Sequence, residues 1–376
     1  MASPDSGHPR NDHVSAGWVL PVPILPNELF SSWLTRAALT QGCDPLVLTG
    51  VIWPRCRVWT RDLDRGASDE QLSALARLSG IDASIFRTMS LRPAAQAVTP
   101  RNLDHLATWP WVLAQGSRNR KRYGGLQYCP CCVRDAKTPY YRQQWRLAWH
   151  TGCPVHGVLL MDRCPDCHAP LEPHRLHAEA GHVAICATCK GDLRDACSTA
   201  ITPTALAFQE ATDQVLLSGH GHYGAKQLTS DRWFELSRYF VTLLRQVALR
   251  PHTGLRAFAT ALGVVADDLL PPATGLALEL LPVRERAMLL AGAWEMLQSG
   301  PDRFLAAAKE ASLSRAALHE RRRPMPDSMM TLLETLPDKE AHRRCRQQGR
   351  TCRPRSRQAV MRMFARLQRK LLVLDE

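Results

Sequence analysis

Tyr128-Cys129-Pro130-Cys131-Cys132, Cys153-Pro154-Val155-His156, Cys164-Pro165-Asp166-Cys167 and Cys186-Ala187-Thr188-Cys189 follow one another along the chain. Each carries a pair of metal-ligating side chains with two residues between them. That spacing lets the backbone curl until both side chains reach one ion, and two such pairs complete a tetrahedral site. Twenty residues separate the first pair from the second, and eighteen separate the third from the fourth. Both gaps suit zinc sites built from paired ligands. The spacing therefore predicts two structural zinc ions. Cys129, Cys132, Cys153 and His156 would hold the first, and Cys164, Cys167, Cys186 and Cys189 the second. Spacing alone leaves a cross-braced pairing open, and leaves Cys131 as a spare beside Cys132.

Composition bounds the rest. A chain of 376 residues with 45% hydrophobic residues can build two or three domains around apolar cores. Its thirteen Cys suit a reducing cytoplasm if eight of them bind metal. The formal charge of +13 favours a polyanionic partner, with nucleic acid first. No apolar run reaches the roughly 20 residues that span a bilayer. Trp18-Val19-Leu20 is cut by Pro21, Pro23 and Pro26, so it reads as neither a signal segment nor an anchor.

Working outward, residues 1–17 read as a disordered tail, followed by a helical N-terminal region over 18–115. Asn27 is placed to cap a helix with Phe30, Trp33, Leu34, Ala37 and Ala38 on its apolar face, and Gly42 to stop it. Asp44-Pro45 suits the start of a second helix, which gives a helix-turn-helix-like pattern. Ser68 and Gln71 predict a capping box, Gly80 a stop and Asp82 a further cap. Pro93 and Pro100 read as a linker. Trp109-Pro110-Trp111 is expected to pack on the zinc module, which spans 116–197. Within that module, Tyr141, Trp145, Ala148 and Trp149 fall on one face if the segment is helical. His150, His168, His174, His177 and His182 have no partner at ligand spacing and read as turn or surface residues.

Beyond Cys197 a helical domain is expected over 198–340, with Gly219-His220-Gly221-His222 as a loop. Helical faces are carried by Leu206 to Leu216, Trp233 to Leu244, Phe258 to Val265 and Ala287 to Leu297. Phe304 to Pro324 reads as a second helix-turn-helix candidate, with Ser314 as cap. A basic segment and terminal helix would occupy 341–376, where positions 341–370 hold eleven Lys or Arg and no acid. The arginine-rich stretches are the candidate nucleic-acid contacts. They are Arg118, Arg120, Lys121 and Arg122; Arg321, Arg322 and Arg323; and Arg343, Arg344, Arg346, Arg350, Arg353, Arg355 and Arg357. The fold class is thus mainly α, with a small α+β zinc-ribbon or zinc-knuckle module carrying two tandem sites.

Enzymatic signatures are missing. There is no phosphate-binding Gly-x-x-x-x-Gly-Lys loop, no Gly-x-Ser-x-Gly elbow and no His-x-Glu ahead of a Pro-Cys-x-x-Cys. Four protein ligands per ion leave no open position for water, which disfavours a zinc-dependent nucleic-acid enzyme. Non-enzymatic binding is the expectation.

Pro26-x-Glu28-Leu29 with Ser32-Trp33-Leu34-x-Arg36 resembles the opening signature of the TniQ family. Tyr128-Cys129-Pro-x-Cys132, Trp145-Arg-Leu-Ala-Trp149-His150, Cys153-Pro-x-His156-Gly157 and Cys164-Pro-x-Cys167 resemble that family's zinc region in order and spacing. The likeness covers roughly residues 20–195; Cys131 departs from the commonest pattern. It implies a bacterial, cytoplasmic, nucleoid-associated protein that selects transposon targets without cutting or joining DNA. It further implies an adaptor that links target DNA, or a target-bound complex, to an AAA+ ATPase regulator and hence to the transposase. An alternative under the same resemblance is a protein–protein adaptor without its own sequence readout, recruited by a resolvase or by an RNA-guided, CRISPR Cascade-like effector. The resemblance also allows a homodimer.

Overall fold

The helices Asp69–Ser79 and Pro203–Ser218 begin at side-chain caps, Ser68 and Thr202, and end at left-handed glycines, Gly80 and Gly219. The computed structural model describes residues 17–115, 125–250, 254–269, 276–319, 325–338 and residue 361. In the N-terminal region α1 (Phe30–Thr40) and α2 (Pro45–Ile52) form a packed pair, followed by α3 (Asp69–Ser79), α4 (Ala83–Thr88) and α5 (Arg92–Ala97). Ser68 Oγ accepts from Gln71 N and the Gln71 side chain accepts from Ser68 N, so the expected capping box opens α3. Gly80 closes it at φ 72°, a conformation that a Cβ would strain. Asp82 caps α4 as expected.

One cap expectation fails in position, and another holds in position while a long-range partner takes its side chain: Asp44 stands at the cap of α2 with Pro45 as its first residue. Asn27 does not cap α1. It sits at φ 54° one turn earlier, its carbonyl accepts from Gln143 N at 2.7 Å, and Leu29 occupies the cap position. Asp44 precedes α2, but its carboxylate accepts from Ala178 N at 2.8 Å and pairs with His177 Nδ1 at 3.0 Å. Pro93 lies inside α5 and not in a linker, in the first turn, where proline costs the helix no bond.

The middle region has little regular structure. It contains α6 (Pro130–Asp135) and a short antiparallel pair, β1 (Gly152–Cys153) with β2 (Val158–Leu159). The segment from Tyr141 to Trp149 is not a helix. Only Gln143–Arg146 makes a 3-10 turn, because the flanking backbone bonds elsewhere: Tyr141 O accepts from Leu29 N and Ala148 N donates to Trp111 O. Its aromatics are nonetheless buried, and Trp111 meets both Trp149 and Phe234 edge-on. The expected packing of Trp111 therefore holds.

The C-terminal helices are α7 (Pro203–Ser218), α8 (Ser230–Leu249), α9 (Gly254–Ala261), α10 (Val283–Glu310), α11 (Arg315–Leu318) and α12 (Asp327–Leu333). α10 breaks at Gly300, φ 71°, before Pro301, so it is two helical stretches joined end to end. The Gly-His-Gly-His segment is a strand, not a loop. β3 (His220–Tyr223) pairs antiparallel with β4 (Lys226–Thr229). Ser314 precedes α11 without a side-chain bond, and α11 is only four residues long, too short for a reading helix.

Two apolar clusters carry the packing. Phe30, Trp33, Leu34, Leu48, Leu75 and Phe86 make the smaller one. The larger runs from Leu91 through the Cys-rich region to Leu336, and also takes Leu39 of α1 and Leu29 at its cap. α1 is buried on all sides because it is wedged between the two. Among the described residues no helix is long and apolar enough to cross a membrane. The fold is mainly α with a small Cys-rich module holding short strands.

Candidate metal centres

The structure brings together the ligand sets of sequential pairs. Cys129, Cys132, Cys153 and His156 converge with their ligating atoms within 4.8 Å, and so do Cys164, Cys167, Cys186 and Cys189. The fit to an ion can be tested on edge lengths. A tetrahedral ion bound at about 2.3 Å to sulfur implies ligand–ligand edges of about 3.7 Å, slightly less to nitrogen. The Sγ–Sγ edges are 3.6 Å for Cys132–Cys153, 3.6 Å for Cys164–Cys189 and 3.7 Å for Cys167–Cys186. His156 Nδ1 stands 3.3–3.5 Å from its three sulfurs. These separations far exceed a sulfur–sulfur bond of about 2.05 Å, so the sets are not disulfides. The donors fit zinc.

Local sequence builds the first set. Cys129 sits at the cap of α6, and its Sγ accepts from Cys132 N at 3.4 Å. Cys153 ends β1 and its carbonyl accepts from Gly157 N, so the turn aims His156 back at the sulfurs. His156 Nε2 is 3.2 Å from Asp135 Oδ2. A carboxylate behind a ligating imidazole fixes the tautomer that offers Nδ1 to the ion. Asp135 was not legible beforehand, because it lies 21 residues from His156. In the second set, burial pushes the Cys164 thiol up to about 12, and a bound cation would favour its thiolate. Cys131 is outside both sets, half-buried against the core.

The other histidines have different work. His150 bonds Asp213 at 2.9 Å beside Trp149 Nε1, which donates to the same oxygen. His177 pairs with Asp44. His174 stacks on Trp59, with ring centroids 5.1 Å apart. Burial, and next Arg175, push His174 down to about 4 from 6.5. A neutral imidazole with a depressed folded value stabilises fully above the unfolded value, and that stability is lost as pH falls from about 6.5 towards 4. The shift corresponds to at most about 3 kcal/mol, reduced to about 1–2 kcal/mol by partial solvent access. His174→Phe should keep the stack and remove the loss. Urea midpoints at pH 7 and pH 5 are expected to differ less for the variant than for the parent chain.

Three buried polar clusters hold the Cys-rich module to its neighbours. Glu28 accepts from Arg36 through both carboxylate oxygens at 2.7 Å and from Ser32 Oγ at 3.0 Å, while Ser32 Oγ accepts from Tyr141 N. Arg146 donates to Asp62 and Asp64 at 2.6 Å each, and Asp64 also accepts from Ser31 N and Oγ. Burial lifts Asp64 above the usual carboxylate range while Arg146 opposes that rise. Arg286, fully buried and pushed down to about 10 by desolvation, donates to Ala148 O and Gln127 Oε1.

The expected nucleic-acid contacts Arg118, Arg120, Lys121, Arg122, Arg321, Arg322, Arg323, Arg343, Arg344, Arg346, Arg350, Arg353, Arg355 and Arg357 all lie outside the described residues. Arg55, Arg57 and Arg61, which spacing did not single out, are exposed, and their guanidinium groups have no hydrogen-bond or ion-pair partner among the described residues. They follow α2 on a segment anchored by buried Trp53 and Val58. Three arginines within seven residues were the available signal.

No curated protein matches the chain. The family model for TniQ matches residues 19–160, which takes in α1 to α6, the first ligand set, and the Glu28 and Arg146 clusters. The TniQ domain implies a transposon-associated function in target selection. Over residues 19–160, this chain is similar to the TniQ family.

Proposed function

We propose that the chain is a target-selection adaptor whose N-terminal helices dock an AAA+ ATPase regulator, whose arginine-rich segments engage target DNA, and whose two structural zinc ions fix the module between them. The outward face of α2 carries this reading. Leu46, Val47 and Val51 are 54%, 55% and 70% exposed. In a helix-turn-helix the second helix reads bases, through Arg, Lys, Asn or Gln. α2 has none of these: it reads Pro-Leu-Val-Leu-Thr-Gly-Val-Ile, and the hydroxyl of Thr49 is buried against Pro45 O. An apolar face edged by Arg55, Arg57 and Arg61 suits a protein surface with an apolar centre and an acidic rim. DNA contact then falls to the basic stretches. The closed donor sets support structural zinc over catalytic zinc.

Val47→Asp together with Val51→Asp should weaken capture of the ATPase at least tenfold, about 1.4 kcal/mol, with the thermal midpoint unchanged. Undiminished capture would remove α2 from the interface. The bridge without its own readout is distinguished by salt. Direct backbone contact predicts DNA affinity that falls steeply with salt, and Arg343→Ala, Arg344→Ala and Arg346→Ala together should reduce the slope by about three. An undetectable or salt-independent affinity favours the bridge.

A further inference from the structure

The hairpin between α7 and α8 carries two imidazoles that the adaptor reading does not use. His220 and His222 are two residues apart on β3, so strand alternation places both on one face. That face is exposed, while Gly221 and Tyr223 are buried on the other. The strand is held rigidly. A Cβ on Gly221 would stand 2.5 Å from Trp233 Cδ1, so β3 lies close against α8 at that point. The register His220 to Thr229 and His222 to Gln227 fixes the spacing of the two side chains.

Their ring centroids are 5.9 Å apart, with planes at 81°. A nitrogen bound at about 2.0–2.1 Å puts each ring centre roughly 3.2 Å from an ion, so two rings sharing one ion stand about 5–6.5 Å apart. The observed spacing falls in that window. His220 Nδ1 is 3.0 Å from the Ser218 carbonyl oxygen, which can only accept. The proton therefore sits on Nδ1 and the lone pair on Nε2, the arrangement in which a backbone carbonyl orients a ligating histidine. Ser218 Oγ lies 2.8 Å from both His220 O and Gln214 O, which share its one proton, and this ties the turn to α7. Neither ring has a carboxylate partner among the described residues.

We propose that His220 and His222 form a labile binding site for a borderline transition-metal dication, of the class of Ni2+, Cu2+ and Zn2+. Imidazole nitrogens suit these ions over Mg2+ or Ca2+. Two protein ligands leave the remaining positions to water, so the ion exchanges readily, unlike one enclosed by four side chains. The site is independent of the Cys sets and of the partner proposed for α2.

The test uses the full chain without a purification tag, saturated with zinc and then dialysed against a weak chelator. Ni2+ is titrated by calorimetry into this protein and into His220→Ala, His222→Ala and His222→Gln. The parent chain is expected to bind Ni2+, and each variant at least tenfold more weakly, with unchanged zinc content and far-UV circular dichroism. Binding by the variants equal to that of the parent, or no binding by the parent, would overturn the proposal.

Discussion

Cys153→Ala is expected to leave one tightly held zinc per chain where the parent holds two, and to abolish ordered packing around Trp145 and Trp149. The sulfur is buried and stands 3.3 Å from His156 Nδ1 and 3.6 Å from Cys132 Sγ. Around it β1 and β2 have two residues each and α6 has six. Elements of that length do not persist without an external constraint. A structural zinc contributes on the order of 10–16 kcal/mol, comparable to the whole stability of a typical domain. The loss should be graded along the chain. α7, α8 and α10 bury their own faces against one another and should keep much of their helicity. Near-UV circular dichroism should therefore collapse while far-UV ellipticity falls only in part. Chelation by a strong chelator should give the same result at both sites, reversed by added zinc. Intact near-UV signals in a metal-free chain would show that the ligand sets are not structural.

What the sequence discloses here is mostly what is local. Two residues between ligands, Ser68 three before Gln71, and Gly80 after the last apolar position of α3 each act within one turn of backbone, so reading along the chain finds them. Tyr141, Trp145, Ala148 and Trp149 mislead for an instructive reason. Their spacing has helical period, and burial does follow, but the backbone is claimed by Leu29, Trp111 and Leu113. Period reports which side chains are buried and not which partners satisfy the amides. Asp44 stands at the cap of α2, yet its carboxylate is claimed by His177 and Ala178, 133 and 134 residues away. Arg146 and Arg286 are the extreme cases, with partners 82 and 159 residues away in Asp64 and Gln127. The family-like residues Glu28, Ser32, Trp33, Arg36, Trp145, Trp149 and His150 are all buried. These residues serve architecture, and the proposed function assigns partner contact to other surfaces, α2 and the basic stretches.

Arg146→Met should be the most damaging substitution outside the ligand sets, costing about 3–5 kcal/mol. The guanidinium is fully buried between Asp62 and Asp64, whose side chains are 6% and 0% exposed. It also donates to Leu113 O at 2.7 Å. Its removal takes the only charge partner from Asp64 among the described residues, frees the Leu113 carbonyl and leaves Asp62 with Arg65 at 3.4 Å, and buried groups left unpaired cost more than the intact cluster contributes. Asp64 cannot escape by turning to solvent, because Ser31 N and Oγ hold both of its oxygens. Protonation is its remaining route, so the variant should lose less stability at pH 5 than at pH 7, the reverse of the His174 effect in the parent chain. A second substitution, Asp64→Asn, should recover part of the loss by removing one uncompensated charge while keeping an acceptor for Ser31. A double-mutant cycle of urea midpoints reads this directly, with a coupling of about 1–3 kcal/mol expected. Additive losses would place the cost in packing and not in charge. Because Arg146 lies between the two halves of the first ligand set and its carboxylates follow α2, the same variant should retain both zinc ions. If α2 docks an ATPase as proposed, the variant should bind it more weakly, since the cluster fixes where α2 points relative to the metal module.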